Sequence, residues 1–299
     1  MPSKNYRPIR SALYLPSINQ RAIEKSRTLA CDVVIFDLED AVAPDQKAAA
    51  RANLVQAFPR QEPTARSLQV IRVNAIDSPF LDDDLATVVT CRPDVILVPK
   101  VSTAEDVIEF TRRAATHGAG MVPVVWFMIE TAQGLTRLGD IVAAGLRCQP
   151  RLECLVLGTN DIARETGVSA AEQRRYLVPW LMSVVLAAKA NDISVLDGVW
   201  NEFKNVAGFE NEVRQAQQMG FDGKTVIHPS QIDFANQAFS PSPEAIAEAR
   251  EIVAAFADPL NSARGVINMD GRMVELLHLA TARRTLQMIE AIQSSAGAG

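Results

Sequence analysis

The sequence predicts a (β/α)8 barrel, because short apolar runs alternate eight times with longer amphipathic stretches. Most of these runs are apolar throughout, as is typical of parallel strands that are buried on both faces. Regular strand–helix alternation favours a barrel, with a doubly wound open sheet as the rival. No GxGxxG motif follows an early strand, which argues against a dinucleotide-binding open sheet. The predicted strands are residues 11–15, 33–37, 69–73, 95–98, 122–129, 154–157, 194–197 and 223–227.

The intervals between these runs predict helices with recognisable starts. Asn19 is placed to cap a helix over residues 20–29. Ser102 with Glu105, and Ser169 with Glu172, have the spacing of capping boxes. Each such start follows a predicted strand, as the barrel pattern requires.

The pattern changes after the eighth strand. Pro243 begins a helix that should run through Phe256, and residues 274–292 predict a final helix. We therefore expect a barrel catalytic domain over residues 1–257 and a C-terminal helical lid over residues 258–299. The small, polar residues from 294 onward predict a disordered tail.

The bulk composition is that of an ordinary globular protein. The chain has 299 residues, of which 48% are hydrophobic and 22% charged, with a formal net charge of −5. Without a basic cluster, a nucleic-acid partner is not expected. No apolar run reaches the roughly 18 residues of a membrane span, and residues 1–10 carry no apolar signal core. The scattered cysteines contain no CxxC pair, so we expect a soluble cytoplasmic protein without disulfides or zinc.

Polar and ionisable residues follow the predicted strands at one common end. In a barrel of this type the active site lies at the carboxyl ends of the strands. Seven consecutive strands with such residues favour a functional rim over loops that are polar for ordinary reasons. The residues are Glu39, Asp40, Arg72, Asn74, Lys100, Glu130, Asn160, Asp161, Asp197 and either Lys224 or His228.

Glu130 and Asp161 are the most informative pair on this rim. They follow neighbouring strands, so their carboxylates should lie close together and repel unless they share a proton or a cation. A hard divalent ion bound by both carboxylates resolves this repulsion. The alternative is that each carboxylate forms an independent ion pair with Lys or Arg.

Arg72 is a candidate for binding a substrate carboxylate, because its planar guanidinium can hold one with two hydrogen bonds. The alternative for Arg72 is an ion pair with Glu39 or Asp40. Neither a Ser/His/Asp nor a Cys/His set emerges from the sequence, which argues against a covalent acyl-enzyme.

Several stretches resemble the citrate lyase beta-subunit, malyl-CoA lyase and citramalyl-CoA lyase family of the HpcH/HpaI aldolase superfamily. They occur in order along nearly the whole predicted barrel, and the Phe-Asp-Leu-Glu-Asp-Ala-Val block combined with Ile-Glu-Thr is highly specific. The stretches are RSALYLP at residues 10–16, IFDLEDAV at 35–42, IRVN at 71–74, VPK at 98–100, MIETAQG at 128–134, LGTND at 157–161, GKTVIHP at 223–229 and FSPSP at 239–243.

The resemblance implies that Glu130 and Asp161 hold Mg2+ and that Arg72 binds the carboxylate of a 2-oxo acid. It also implies an acyl-CoA or acyl-carrier thioester as the second part of the substrate, and a homotrimer or homohexamer. We assign Lys100 and Glu130 to the substrate-binding residues as well.

The C-terminal segment departs from the family pattern. The family carries Gly-(Lys/Arg)-Met-Ile-Asp-x-Pro, whose Asp is the acid–base residue, whereas this chain has GRMVELL at residues 271–277. Glu275 therefore becomes the expected catalytic acid–base residue. Asp270 and the rim carboxylates Glu39 and Asp40 are the alternatives.

The expected reaction is Mg2+-dependent cleavage or formation of a carbon–carbon bond in a 3-hydroxyacyl-CoA such as malyl-CoA, citramalyl-CoA or citryl-CoA. The products of cleavage are a 2-oxo acid and an acyl-CoA. Two alternatives stay open, namely an acyl-CoA thioesterase that uses the same metal site and a non-catalytic acyl-CoA-binding subunit. An aldolase that acts on free hydroxy-oxo acids is a further option.

Overall fold

The computed structural model describes residues 7–58, 67–261, 264–269 and 271–297. The chain divides into two compact units, of which the larger spans Ile9–Gln237 and the other contains the C-terminal residues from Ala238 onward. The sequence places its domain boundary later, between residues 257 and 258. The units divide earlier because the helix before that boundary packs against the final helix of the chain.

The larger unit is a closed barrel of eight parallel strands in sequential order, as the sequence predicts. Each observed strand overlaps its predicted run, and the second, fourth and seventh have the predicted bounds. The strands are β1 Ser11–Pro16, β2 Val33–Asp37, β3 Leu68–Arg72, β4 Val95–Val98, β5 Val124–Ile129, β6 Arg151–Leu157, β7 Ser194–Asp197 and β8 Gly223–Val226.

Helices connect the successive strands, and single turns of 3-10 helix lie at Pro44–Gln46, Ala119–Met121 and Pro229–Gln231. The helices of this unit are α1 Gln20–Ser26, α2 Lys47–Ala57, α3 Leu81–Cys91, α4 Ala104–His117, α5 Ala132–Thr136, α6 Leu138–Gly145, α7 Thr159–Thr166, α8 Ala171–Arg174, α9 Val178–Ala190, α10 Val206–Met219 and α11 Ile232–Ala238.

The helix starts show where local sequence patterns succeed and fail. Asn19 caps α1 as predicted, since its side chain accepts a hydrogen bond from the Ala22 amide at 3.1 Å. The predicted box of Ser102 and Glu105 is wrong by one residue, because Thr103 and Asp106 cap α4 reciprocally. The box predicted from Ser169 and Glu172 is also wrong, because Glu172 has a left-handed backbone (φ 53°).

The barrel interior is filled by every second residue of the strands. Val33 and Ile35 on β2, and Trp126 and Met128 on β5, belong to one buried apolar cluster. Because side chains alternate between the faces of a strand, Asp37 and Glu130 continue these inward rows at the carboxyl end of the barrel. Strand periodicity thus places charged groups directly above an apolar core.

The described residues of the C-terminal unit form two helices and a hairpin. Helix α12, Pro243–Ala257, begins where the sequence predicts, with the Ser242 hydroxyl accepting from the Ala245 amide. Strands β9, Val266–Met269, and β10, Arg272–Glu275, pair antiparallel and were not predicted. Helix α13, Leu276–Gly297, therefore starts after Glu275 rather than at residue 274, and it extends into the segment predicted to be disordered.

The C-terminal unit has its own core. Ile252 and Phe256 of α12 pack with Ile267, Val274 and Leu279 from the hairpin and α13. Although α13 has 22 residues, no helix in the described ranges is long and apolar enough to cross a membrane.

Candidate active site

A cavity of about 310 Å³ opens at the carboxyl end of the barrel strands. Its lining combines carboxylates, amides and one guanidinium with apolar side chains, as is typical of small-molecule sites. The lining residues are Tyr14, Asp37, Asp40, Ala41, Arg72, Met128, Leu157, Gly158, Thr159, Asn160, Asp161, Val199, Asn201 and Ile227.

Arg72 lies in this cavity with most of its hydrogen-bonding capacity already used. Its Nε and Nη2 donate to the two Asp37 oxygens at 2.8 and 2.5 Å. Nη1 lies 2.9 Å from Glu39 Oε2, an ion pair without hydrogen-bond geometry, and 3.7 Å from Met128 Sδ. Arg72 thus pairs with Glu39, as one of the two alternatives predicts, and Nη1 is the guanidinium nitrogen that makes no hydrogen bond to a carboxylate.

Tyr14 covers the guanidinium from β1. The centroid of the Tyr14 ring lies 4.9 Å from Arg72 Cζ, which is a cation–π contact. The Arg72 guanidinium is buried, a cost that alone would lower its pKa, but Asp37, Tyr14 and Glu39 hold that pKa well above the usual value. Arg72 is therefore a permanent, immobilised cation at the base of the cavity.

Lys100 bridges the two carboxylates that follow β2. Its Nζ donates to Glu39 Oε1 and lies 3.4 Å from Asp40 Oδ1. Glu39 is buried, which raises its carboxyl pKa, whereas Arg72 and Lys100 oppose that rise. Asp40 is the open end of this group, since its side chain is 55% exposed and lines the cavity.

Glu130 is almost completely buried, as is Asp37. Its Oε1 accepts the backbone amide of Lys100 at 2.8 Å, an arrangement that uses a left-handed backbone at Lys100 (φ 55°). Its Oε2 is buried and has no hydrogen-bond partner in the described part of the chain. Burial, reinforced by Glu39 and opposed by Arg72, raises the pKa of Glu130 to about 8, and Asp161 contributes to the rise.

Gly158 makes room for that carboxylate. A Cβ added at residue 158 would lie 2.5 Å from Glu130 Oε2 and closer still to the Glu130 Cβ. The close approach of β6 to the Glu130 side chain therefore requires glycine at this position. The sequence identifies Gly158 only as part of the LGTND stretch at residues 157–161.

Asp161 lies in the first turn of α7, beside the cavity, with its side chain 19% exposed. Its Oδ1 accepts a hydrogen bond from the exposed Arg164 guanidinium. Asp161 therefore forms the independent ion pair that the sequence left open as the alternative to a shared cation. No cluster of three or more His, Cys, Asp or Glu side chains suited to a metal ion occurs among the described residues. Two carboxylates are nevertheless enough for Mg2+, which keeps several water ligands, and the unpartnered Glu130 oxygen fits that role.

Other predicted rim residues have internal partners. Asn74 donates to the Leu38 carbonyl and to Asp84, and thereby supports the backbone after β2. Asp197 and Lys224 form a fully buried ion pair. These three residues brace the barrel and do not line the cavity.

Two further rim residues also have neighbours of their own. His228 stacks on Phe203 with ring centroids 4.9 Å apart. Asn160 does line the cavity, where its side-chain amide pairs with that of Asn201. The polar rim therefore contains both residues that line the cavity and residues whose partners lie elsewhere in the barrel.

Sequence reasoning missed Asp37, Tyr14 and Met128 as site residues. Asp37 closes a wholly apolar strand, and the same signal that singled out Asp197 could have identified it. Tyr14 and Met128 read as ordinary core residues, and only the folded barrel places both at Arg72.

Glu275 ends β10 in the C-terminal unit, and its backbone amide donates to His278 Nδ1 at 2.9 Å. Its assignment as the acid–base residue stays a prediction. The alternative residue Asp270 lies outside the described residues.

The closed barrel and its carboxylate-lined cavity define a barrel enzyme with its site at the carboxyl ends of the strands. The chain belongs to the HpcH/HpaI aldolase/citrate lyase family, which matches residues 10–229. The resemblance inferred from its motifs is thereby confirmed.

Two groups of relatives from Cereibacter sphaeroides cover nearly the whole chain. A (3S)-malyl-CoA thioesterase is 42% identical over 287 residues, which are 95% of this chain and 96% of the relative. An L-malyl-CoA/beta-methylmalyl-CoA lyase is 33% identical over 312 residues, covering 96% of each chain.

A solved structure of similar fold is the protein CitE from Mycobacterium tuberculosis in complex with magnesium, acetoacetate and coenzyme A. The TM-score is 0.73 at 30% identity, and the match covers 93% of this chain and 97% of that one.

Proposed function

We propose that this chain is a Mg2+-dependent enzyme that acts on a CoA thioester of the malyl-CoA type, and that its reaction is hydrolysis of the thioester. The substrate class is supported by the two groups of relatives, both of which are named for malyl-CoA. Hydrolysis is placed ahead of the carbon–carbon cleavage expected from the motifs, because identity to the thioesterase is 42% against 33% to the lyase.

The observation that carries the metal proposal is the buried, unpartnered Oε2 of Glu130. Together with the neighbouring Asp161 it would hold Mg2+, the ion present in the similar CitE structure. When bound, Mg2+ supplies Lewis acidity that polarises a substrate oxygen.

In this proposal the cations of the site orient an anionic substrate. Arg72 Nη1 is the best-placed donor for the carboxylate at the hydroxyl-bearing end of the substrate, and Asp37 keeps its guanidinium in place. The Lys100 ammonium, next to Asp40, would contact the same end. The cavity of about 310 Å³ then limits the acyl part to a small group.

For hydrolysis the chain must take a proton from the attacking water. Asp40 is the carboxylate we assign to this step, because it lines the cavity, is 55% exposed and lies beside Lys100. The water oxygen bonds to the thioester carbon, the carbon–sulfur bond breaks, and the sulfur of CoA leaves with a proton.

Carbon–carbon cleavage is the second candidate, and the lyase relative favours it. A base removes the proton of the substrate hydroxyl, the adjacent carbon–carbon bond breaks, and a 2-oxo acid separates from the thioester enolate. Glu275 is the residue we assign to protonating that enolate, in keeping with its place in the family pattern.

One experiment separates the two reactions. The enzyme is incubated with Mg2+ and malyl-CoA, citramalyl-CoA or citryl-CoA, and free CoA, 2-oxo acid and acyl-CoA are followed by mass spectrometry. Free CoA with intact hydroxy acid supports hydrolysis, whereas a 2-oxo acid with acyl-CoA supports cleavage. Ligand binding without any turnover would instead support a non-catalytic acyl-CoA-binding subunit.

The carrier, the assembly and the location are also proposals. Assay with acyl-carrier thioesters in place of CoA thioesters tests the carrier. The homotrimer or homohexamer implied by the family is tested by light scattering on the purified protein, and the cytoplasmic location by fractionation.

A further inference from the structure

Lys47, at the start of α2, is a buried lysine whose ammonium group binds backbone carbonyls instead of a carboxylate. It is 6% exposed, and its Nζ donates to the carbonyl oxygens of Leu38 and Glu39, at 2.7 Å each. Nζ also lies 5.6 Å from the centroid of the Phe80 ring. A buried ammonium is costly unless its donors are used, so these contacts define what the residue does.

The two carbonyls belong to the segment that carries Glu39 and Asp40 into the site. The start of this segment is held from the other side by Asp37, which accepts the amides of Glu39 at 2.8 Å and Ala41 at 3.1 Å. Asn74 shares the Leu38 carbonyl with Lys47 at 2.9 Å. Of the three side chains that hold this segment, Asp37, Asn74 and Lys47, the last is the one with a positive charge.

The charge of Lys47 acts on the same segment. Burial lowers the pKa of Lys47, and the carboxylates of Asp37, Asp84, Glu39 and Asp40 oppose that shift. A positive charge among these four carboxylates reduces the repulsion between them. Removing it would let Glu39 and Asp40 move apart.

We propose that Lys47 is a positioning residue for this site: it fixes the Leu38–Glu39 backbone so that the Glu39 carboxylate meets Lys100 and Arg72. This inference deepens the proposed function and rests on it for the kinetic part of its test. A purely structural lysine would anchor only the start of α2 and would leave the site geometry unchanged.

The test compares Lys47→Met, which keeps the length of the side chain but removes the charge and the donors, with the parent. Hydrogen–deuterium exchange of the full chain is read on peptides that cover residues 37–43 and 47–57, and kcat and KM are measured with malyl-CoA. Lys189→Met is the matched control, because Lys189 pairs with Asp222 just before the start of β8, at the opposite rim of the barrel.

The expected result is exchange at residues 37–43 faster by about tenfold or more, the size expected when hydrogen bonds to a charged donor are lost. The kcat should fall by a similar factor while KM stays within about threefold, because Asp37 still holds Arg72, the group proposed to bind the substrate carboxylate. The control should match the parent in both measurements.

Parent-like exchange at residues 37–43, or accelerated exchange confined to residues 47–57 with unchanged kcat, would overturn the proposal. If Lys47→Met is not recovered folded, Lys47→Gln is tested instead, because it keeps a hydrogen-bond donor without the charge. Its exchange at residues 37–43 should be intermediate. Parent-like exchange at these residues would again refute the proposal. If the parent itself consumes no thioester, the proposed function fails, but the exchange measurement still tests Lys47.

Discussion

Arg72 and Asp37 form a bidentate ion pair between neighbouring strands of the barrel, with Nε–Oδ1 at 2.8 Å and Nη2–Oδ2 at 2.5 Å. The two residues are direct register partners of β3 and β2, and both side chains are buried. Asp37 therefore fixes the direction of the guanidinium.

The first prediction concerns this pair. Asp37→Asn removes the carboxylate that accepts two hydrogen bonds from the buried Arg72 guanidinium and leaves Glu39 as its remaining charged partner, so the free energy of unfolding should fall by about 3–5 kcal/mol. Urea denaturation measures the change. Arg112→Ala, which breaks the exposed pair with Glu109, should leave the stability unchanged. Equal stability of Asp37→Asn and the parent would contradict the prediction.

Arg72→Lys is predicted to lower kcat/KM for substrates with a carboxylate at the hydroxyl-bearing end. Lysine cannot satisfy Asp37 with two parallel bonds and present a further donor in the same place, so the loss should correspond to about 1–3 kcal/mol. Steady-state kinetics with malyl-CoA measure it. An unchanged kcat/KM would remove Arg72 from substrate binding.

Gly158→Ala is predicted to disable the metal site. The added Cβ would lie 2.5 Å from Glu130 Oε2, so the Glu130 carboxylate must shift from its position in the parent. We expect Mg2+ affinity, measured by calorimetry, to fall at least about tenfold, with a stability cost of about 1–3 kcal/mol from overpacking. Gly139→Ala is the control, because nothing lies within 4 Å of its added Cβ. Parent-like Mg2+ binding in Gly158→Ala would argue against Glu130 as a ligand.

The fourth prediction is a pH dependence that originates in Glu130. The pKa of Glu130 is raised from 4.5 to about 8 in the folded protein. At pH values between 4.5 and about 8, the folded state therefore keeps a proton that the unfolded state has lost. In metal-free protein this contribution to stability is fully present below pH 4.5 and is lost as the pH rises toward about 8. Because Mg2+ must displace that proton, its affinity should rise with pH up to about 8.

Denaturation in the presence of a chelator measures how the stability of the metal-free protein depends on pH. Calorimetry of Mg2+ binding in buffers of different ionisation enthalpy measures the release of the proton. Glu130→Gln should flatten the stability profile over this range and abolish Mg2+ binding. Full activity of Glu130→Ala in the presence of a chelator would eliminate the metal assignment.

Glu275→Gln is predicted to reduce kcat for malyl-CoA cleavage by roughly 10²–10⁴ with little effect on stability, as expected for loss of an acid–base group. Glu275→Asp should keep substantial activity. Glu248→Gln, at the exposed partner of Arg272 in the same unit, serves as the control. A rate for Glu275→Gln within about threefold of the parent, well below the catalytic range, would move the search to Glu39 and Asp40.

Sequence patterns are sufficient to predict the barrel, the approximate position of its strands and the end at which the charged residues lie. These features depend on local patterns, because apolar runs of strand length and the residues that follow them are read along the chain. Glu130 and Asp161 could be paired in advance since they follow neighbouring strands.

Which of these charged groups pair with one another depends on the folded structure. Asp37 and Arg72 are 35 positions apart, and only the register of β2 with β3 brings them together. The approach of Gly158 to Glu130 likewise depends on how β5 and β6 pair. The hairpin before α13 was missed because its strands are mostly exposed and lack the continuous apolar run that identified β4 and β7, which are just as short. Partner choice depends on strand register and side-chain packing across the fold, which no local pattern encodes.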